Sequence, residues 1–156
     1  MQHIERILVP TDFGAASDAA LRYARALAAQ FGAAISLIHV LEEPLVTGAL
    51  VGHGIVTMPR DFRDAVKRAA REELNKRHAE HAQALPFSSH DLLTGPAAKC
   101  IVEHAEKVDA DLIVMGTHAR GGLSHLLIGS VAEKVVRTAK CPVLTTHEPE
   151  SEGAAA

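Results

Sequence analysis

Residues 111–147 read DLIVMGTHARGGLSHLLIGSVAEKVVRTAKCPVLTTH and contain the pattern that decides the fold. The uninterrupted apolar run Leu112–Met115 is typical of a strand covered on both faces. It leads through a glycine-rich loop into a helix opened by Gly129 and Ser130, and then to the strand Val143–Thr146. The first N–H groups of a helix lack intrahelical partners and lie at the positive end of its dipole. The stretch therefore predicts a strand–loop–helix unit that can hold an anion such as phosphate.

The same alternation of strand and helix extends back to the amino terminus. Further strands are predicted at Ile7–Val9, Ala34–Val40 and Phe87–Leu93. Helices are predicted from Ser17 or Asp18 to Gly32 (buried face Ala20, Ala24, Leu27 and Phe31), Pro59 to Leu85, Pro96 to Val108 and Ser130 to Ala139. This β-α-β-α-β-α-β-α-β order predicts an α/β fold: a doubly wound, open, parallel five-stranded sheet with helices on both faces.

The two most apolar strands, the first and the fourth, should be central neighbours, which gives the strand order 3-2-1-4-5. The winding then reverses between them, and ligands of open α/β sheets bind at such a point, outside the carboxyl ends of the strands. The residues predicted there are Pro10-Thr11-Asp12 and Gly116-Thr117-His118.

Length and composition limit the class of protein. With 156 residues, 47% of them apolar, residues 1–147 are predicted to form one domain and residues 148–156 a disordered tail. A net charge of −3, with the basic residues spread along the chain and no tryptophan, argues against a nucleic-acid partner. The apolar stretch Leu45–Met58 is too short for a bilayer, so no membrane association is expected. Cys100 and Cys141, without a C-x-x-C pair or a secretory leader, are read as packing residues of a cytoplasmic protein.

The loop after the fourth strand lacks the Walker A and dinucleotide-binding patterns. It resembles instead the universal stress protein family, whose nucleotide-binding members carry G-x2-G-x9-G-[ST] at this place. Gly116, Gly129 and Ser130 match that pattern in register, and Ala119 replaces its second glycine. The resemblance also covers V-P-T-D-F at 9–13, I-H-V at 38–40, S-V-A-E-K-V-V at 130–136 and C-P-V-L at 141–144, and so spans nearly the whole chain.

The resemblance implies a regulatory stress-response protein that binds ATP, ADP or AMP, with Mg²⁺ as a possible companion. It implies that Asp12 contacts the ribose or the metal and that Val40 holds adenine through its backbone. The remaining pocket residues that it implies are Pro10, Thr11 and Met115 around base and ribose, and Gly116, Ala119, Gly129, Ser130 and Val131 around the phosphates. His118 and Arg120 are candidate phosphate contacts. A homodimer through the uncharged strand Val143–Thr146 is also implied, and such an edge suits pairing.

Simpler explanations exist for several of these residues. Ser130 and Glu133 form a capping-box sequence that would stabilise a helix without any ligand. Asp12 is also a natural turn residue. If the backbone at Ala119 is left-handed, its Cβ costs about 1–2 kcal/mol, which would weaken binding roughly ten- to thirty-fold. A family member that works through protein contacts without nucleotide is therefore an alternative function.

No catalytic residue set is predicted, because the loop has no P-loop lysine to serve phosphoryl transfer. A slow ATPase or nucleotidyl-transferring enzyme is the second alternative, and it would need His118, His125 or Asp12 as a base. His78 and His81 share a helix face, but a pair without a third ligand predicts no metal site. The long glycine-containing segment Leu41–Thr57 is predicted to be a mobile flap over the site.

Overall fold

The computed structural model of the chain describes residues 3–42, 59–82, 87–117 and 128–147. These residues form five strands and four helices in alternation. In chain order the elements are β1 (Arg6–Pro10), α1 (Ala15–Phe31), β2 (Ala34–Leu41), α2 (Arg60–Ala82), β3 (Phe87–Thr94), α3 (Ala97–Lys107), β4 (Leu112–Gly116), α4 (Ser130–Thr138) and β5 (Val143–Thr146).

The strands form one sheet in the order β3-β2-β1-β4-β5, and every neighbouring pair is parallel. The predicted fold class and strand order are therefore confirmed. The chain winds outward from β1 to β3, and α3 then carries it back across the sheet to β4. The carboxyl ends of β1 and β4 consequently lie side by side, with α1 and α4 beginning beyond them, as the reversal of winding predicted.

The sheet separates two cores because alternate residues of a strand point to opposite faces. Ile7 and Val9 pack with α1 and with Leu74 of α2 on one face. Leu8 points to the other face, where Ile101 of α3 and Val135 of α4 cover it. The uninterrupted apolar runs that predicted central strands are explained by this double covering.

Helix α1 begins before the predicted caps. Gly14 is its N-cap residue, with extended backbone angles of φ −93° and ψ 168°, so the prediction of Ser17 or Asp18 was wrong. Both of those residues lie in the first turn, where the Asp18 N–H and the Ser17 hydroxyl donate to the Gly14 carbonyl, each at 2.9 Å. Phe31 was predicted on the buried face of α1 and is 44% exposed. The buried face of this helix ends at Ala28, before Phe31 is reached.

Two predictions concern parts of the chain that the structure does not describe. The predicted tail, residues 148–156, lies outside the described residues, and so does the predicted flap from residue 43 onward. Leu41, which the flap prediction included, is the last residue of β2, and Glu42 follows it.

Helix α2 docks on its neighbours through histidines. The Arg25 guanidinium of α1 donates to His81 Nδ1 at 3.0 Å, so this nitrogen must carry a lone pair. His78 stacks on His90 of β3, with ring centroids 4.0 Å apart. These contacts need the neutral imidazole of His81 and favour that of His78. Among the described residues no group of three or more side chains could hold a metal ion, so neither histidine belongs to such a cluster there.

We expect the free energy of unfolding to fall as the pH is lowered from about 7 to about 5. Burial, followed by the His90 charge, lowers the pKa of His78 below its ordinary 6.5, and burial followed by the Arg25 charge lowers that of His81. Burial also lowers the pKa of His104. A lowered histidine pKa means that the unfolded chain takes up protons first, so this stability is complete above pH 6.5 and is lost below it. Urea titrations across this range test the slope, and His81→Gln, which keeps an acceptor for Arg25, should flatten it. An equally steep profile in that variant would contradict the role given to His81.

Candidate functional site

A cavity of about 230 Å³ lies at the carboxyl ends of β1, β2 and β4. It is lined by Pro10, Thr11, Asp12, Ser17, His39, Val40, Glu42, Ala97, Ile101, Met115, Gly116, Thr117, Gly129, Ser130, Val131 and Ala132. Every predicted pocket residue that the structure describes is in this wall. Ala119 falls outside the described residues, as do the candidate phosphate contacts His118 and Arg120.

A second hollow, of about 500 Å³, lies at the opposite, amino end of the sheet. No predicted site residue lines it. Several of its charged groups are already engaged: Lys140 Nζ lies 2.8 Å from Glu106 Oε2, Arg6 Nε donates to the Asp109 carbonyl at 2.9 Å, and Asp111 Oδ2 accepts the Arg6 N–H at 2.9 Å. The smaller cavity at the carboxyl ends is therefore the better candidate for a ligand.

The loop between β1 and α1 is held by its own short side chains. Asp12 Oδ1 accepts the Gly14 N–H at 2.9 Å, which makes Asp12 a turn residue as well as part of the cavity wall. Thr11 Oγ1 accepts the Phe13 N–H at 3.0 Å and lies 3.1 Å from Ser17 Oγ. Since the Ser17 hydroxyl donates to the Gly14 carbonyl, the Thr11 hydroxyl supplies the hydrogen of the Thr11–Ser17 contact. The role of Asp12 toward a ribose or a metal stays a prediction.

Within this loop, Phe13 adopts a left-handed backbone with φ 64°. Such a conformation costs a residue with a side chain about 1–2 kcal/mol and persists only where its surroundings hold it. The Phe13 ring stacks on His39 with centroids 4.3 Å apart, and the Arg77 guanidinium lies 5.6 Å from the ring centre. Arg77 also donates to the Phe13 carbonyl at 3.2 Å and pairs with Asp18. Strand β2 and helix α2 thus fix the loop that carries Asp12.

The backbone of Val40 has a particular orientation. In a parallel sheet the N–H and C=O of one residue point to the same neighbouring strand, and the side alternates along the chain. The Ile38 carbonyl accepts from Thr11 on the β1 side, whereas the Leu41 carbonyl accepts from Gly95 on the β3 side. The N–H and C=O of Val40 therefore face β1. The pairing of β1 with β2 ends at Pro10–Ile38, so these two groups point past the end of β1, where the cavity lies.

The opposite wall is built around Thr117, whose side chain is buried. Its N–H donates to the Thr146 carbonyl at 2.9 Å, and its own carbonyl accepts the Gly129 N–H at 2.6 Å. The Thr117 hydroxyl lies 3.0 Å from His147 Nδ1. These bonds attach the start of α4 to the ends of β4 and β5. The Gly129 N–H is thereby used within the protein, although the family motif placed Gly129 among the phosphate contacts.

Gly116, the first glycine of the motif, lies against α1. A Cβ built on it would be 2.8 Å from the Ala16 carbonyl carbon and 2.9 Å from the Ser17 nitrogen. Real Cβ atoms essentially never approach other atoms so closely. Packing between β4 and α1 therefore demands glycine here, whether or not a ligand binds.

Helix α4 presents its first turn to the cavity. Gly129 is the N-cap residue, and the first intrahelical bond runs from the Glu133 N–H to its carbonyl at 2.9 Å. The capping box predicted for Ser130 and Glu133 is wrong, because Ser130 is already the first helical residue and α4 has no side-chain cap. The N–H groups of Ser130, Val131 and Ala132 precede the first intrahelical bond, and all three residues line the cavity.

His39 and Arg77 were not predicted as site residues. His39 lines the cavity and lies 2.7 Å from the Thr11 carbonyl through Nδ1, which must carry the hydrogen since a carbonyl only accepts. The sequence did offer a signal for His39, because it is a polar residue within the mostly apolar strand β2. Arg77 gives no such signal, because an arginine on a helix is ordinarily solvated.

The chain matches the model of the universal stress protein family over residues 3–147. The chain belongs to the universal stress protein family. Universal stress protein MJ0531 of Methanocaldococcus jannaschii is 36% identical over 149 residues, which cover 95% of this chain and 85% of that protein. The solved structure of MJ0577 from the same organism superposes with a TM-score of 0.74 at 26% identity, covering 96% of this chain and 99% of its own.

Another solved universal stress protein is described as a complex with cAMP. It is 25% identical, superposes with a TM-score of 0.64, and covers 94% of this chain and 98% of its own. The universal stress protein fold of this chain, with its 3-2-1-4-5 sheet, agrees with these neighbours. Within the residues described, no helix is long and apolar enough to span a bilayer.

Proposed function

We propose that this universal stress protein binds an adenine nucleotide, with ATP as the leading candidate, and acts as a regulatory homodimer in the stress response. The observation that carries the proposal is the placement of Val40. Its N–H and C=O form a donor and an acceptor, side by side, that point past the end of β1. Adenine offers the complementary pair on one edge: a ring nitrogen that accepts and a 6-amino group that donates.

The far wall of the cavity suits phosphate. The N–H groups of Ser130, Val131 and Ala132 and the positive end of the α4 dipole favour an anion there. The cavity, at about 230 Å³, is smaller than the roughly 300–1,000 Å³ that small-molecule pockets commonly enclose, so it would hold a nucleoside rather than a whole nucleoside triphosphate. Base and sugar would fill the cavity, and the phosphates would extend along the start of α4. The cAMP complex of a relative supports an adenine ligand in this fold.

Asp12 is the carboxylate best placed for the sugar or for Mg²⁺. Oδ1 accepts the Gly14 N–H, which orients the carboxylate in the cavity wall. A carboxylate beside phosphates needs a hydroxyl or a cation as its partner, and ribose or Mg²⁺ supplies one. ADP, AMP and a cyclic nucleotide share the base and ribose, so they remain candidates with ATP.

We propose a binding role and not a catalytic one. The loop without a P-loop lysine supports this. A cytoplasmic location is part of the proposal and is supported by the two free thiols, Cys100 and Cys141. A slow ATPase and a member without nucleotide are the alternatives, and the following experiment separates them.

Gly129→Trp should reduce ATP affinity at least tenfold while the protein stays folded. Gly129 has φ −59° and ψ 153°, angles that any residue can adopt, so tryptophan fits the backbone at this position. Its indole would occupy the cavity that Gly129 lines. Val136→Trp is the matched control, because Val136 lies on the same helix, is 48% exposed and does not line the cavity. Calorimetry with ATP and Mg²⁺ measures binding, and release of inorganic phosphate in the same samples tests for hydrolysis. If the two variants bind ATP with equal affinity, this cavity is not the nucleotide site.

Asp12→Asn separates the two roles of Asp12. An asparagine oxygen can still accept the Gly14 N–H, so the turn is kept and only the charge is lost. We expect a several-fold loss of ATP affinity in the presence of Mg²⁺, as suits a charge-assisted contact. Unchanged affinity would leave Asp12 as a turn residue alone.

The dimer is proposed through β5. In the part of the chain that the structure describes, β5 is one edge of the sheet, with β4 as its neighbour. It is uncharged and begins after Pro142, so no charge or internal proline prevents another strand from adding to it. The exposed apolar side chain of Leu144 lies on β5 itself. An isologous contact at this edge would bury apolar surface as well as satisfy backbone groups.

A further inference from the structure

Glu42 caps a helix to which it is not adjacent in sequence. It follows β2, and its Oε1 accepts the Ala97 N–H, the first of α3, at 3.0 Å. The N-cap residue of α3 is Pro96, which has no side-chain acceptor for that helix. The positive end of the α3 dipole and the Ala97 N–H therefore hold the Glu42 carboxylate at one position.

This carboxylate belongs to the cavity. Glu42 and Ala97 both line it, at the end formed by β2, whereas Ser130 lines it at the end formed by β4. One strand, β1, separates β2 from β4, so these two ends are about 10 Å apart at the usual strand spacing. The cavity thus has an anionic end at Glu42 and an anion-binding end at α4. A ligand with a phosphate at one end must offer hydrogen-bond donors at the other.

The direction of β2 determines which ligand group meets Glu42. Within Val40 the N–H precedes the C=O along the chain, so the acceptor lies nearer to Glu42 than the donor does. A base that pairs with both groups places its own donor on the Glu42 side. In adenine this donor is the 6-amino group. In hypoxanthine a 6-oxo group takes its place, which would meet a carbonyl and a carboxylate, two acceptors.

We propose that Glu42 is a specificity-determining residue that selects 6-aminopurine over 6-oxopurine nucleotides. The inference rests on the proposed nucleotide function of the cavity and adds a side chain to the readout by Val40. The carboxylate attracts the amino hydrogens and repels the oxo group. Hydrogen bonds to charged groups are stronger than neutral ones, so removing the charge should change the preference between the two bases by about tenfold.

The test compares ATP with inosine triphosphate, which carries oxygen in place of the 6-amino group. Glu42→Gln is the variant, because the glutamine oxygen still accepts the Ala97 N–H and its amide can donate to a 6-oxo group. Glu103→Gln is the control, because it also removes one negative charge, at a position of α3 that does not line the cavity. There Glu103 is paired with Lys99 at 3.7 Å. We expect wild type and the control to prefer ATP, and Glu42→Gln to lose about tenfold of that preference.

The results separate failure of the specificity role of Glu42 from failure of the proposed nucleotide binding. If wild type binds ATP and Glu42→Gln keeps the same ratio of ATP to inosine triphosphate affinity, the specificity role is overturned and nucleotide binding stands. Equal weakening of both nucleotides also overturns it, because it indicates a role in the fold alone. A wild-type protein that binds inosine triphosphate as tightly as ATP would also overturn the specificity role. Wild type that binds neither overturns both proposals.

Discussion

Gly116→Ala is expected to destabilise the protein by about 3 kcal/mol, at the upper end of the usual cost of overpacking a core. The added Cβ would lie 2.8–2.9 Å from the Ala16 carbonyl carbon, the Ala16 Cβ and the Ser17 nitrogen. Two of these three are backbone atoms of α1, so no rotamer change can remove the clash. Relief requires α1 to move away from β4, which opens the core around Ala20 and Ala24. For a domain of this size the loss corresponds to a melting temperature roughly 6–12 °C lower.

Gly32→Ala provides the comparison. Gly32 ends α1 with φ 72°, and a Cβ there meets no atom within 4 Å. Its replacement should therefore cost only the backbone strain, about 1–2 kcal/mol. Thermal and urea unfolding of both variants measure the difference. If Gly116→Ala melts within the error of Gly32→Ala, packing against α1 is not what requires glycine in the motif.

Thr145→Pro is expected to convert the proposed dimer into a folded monomer. The Pro142 carbonyl accepts from Ile113 of β4, and the Thr146 carbonyl accepts from Thr117, which follows β4 directly. By alternation the backbone of Leu144 also faces β4, and that of Val143 and Thr145 faces away. A proline at 145 removes an N–H from the outer edge and leaves the bonds to β4 in place. The change thus acts on the interface and not on the sheet.

The control for this variant is Thr145→Ala, which shortens the same side chain and keeps its N–H. Sedimentation velocity at micromolar concentrations should give a dimer for wild type and for Thr145→Ala, and a monomer for Thr145→Pro. Circular dichroism should show the same helix content in all three. A wild type that sediments as a monomer, or a proline variant that remains dimeric, would remove β5 as the interface.

The order of the strands could be predicted because it depends on local patterns. The apolar runs of β1 and β4 identified the centre of the sheet, and right-handed crossovers left few arrangements of the rest. The described pocket residues gather in one cavity for the same reason: Pro10, Val40 and Gly116 each lie at the carboxyl end of a parallel strand.

Features that depend on contacts between distant segments could not be predicted. The support of Phe13 by Arg77 joins residues 64 positions apart, and the contact of Glu42 with Ala97 joins residues 55 positions apart. The N-cap of α1 was misplaced because Ser17 and Asp18 have side chains typical of caps, whereas the backbone of Gly14 fills that role. The motif indicated Gly116 as a phosphate residue, and its contact with α1 becomes visible only when the helix is in place.

The bond between Thr117 and His147 has a practical consequence for labelling this protein. His147 Nδ1 lies 3.0 Å from the Thr117 hydroxyl, and Thr117 is part of the cavity wall, so a label attached at residue 147 lies beside the cavity. His3 precedes β1 at the opposite end of the sheet, about 17 Å away along a five-residue strand. A polyhistidine tag or fluorescent reporter for binding measurements therefore belongs at the amino terminus, and a probe meant to sense ligand arrival belongs next to His147.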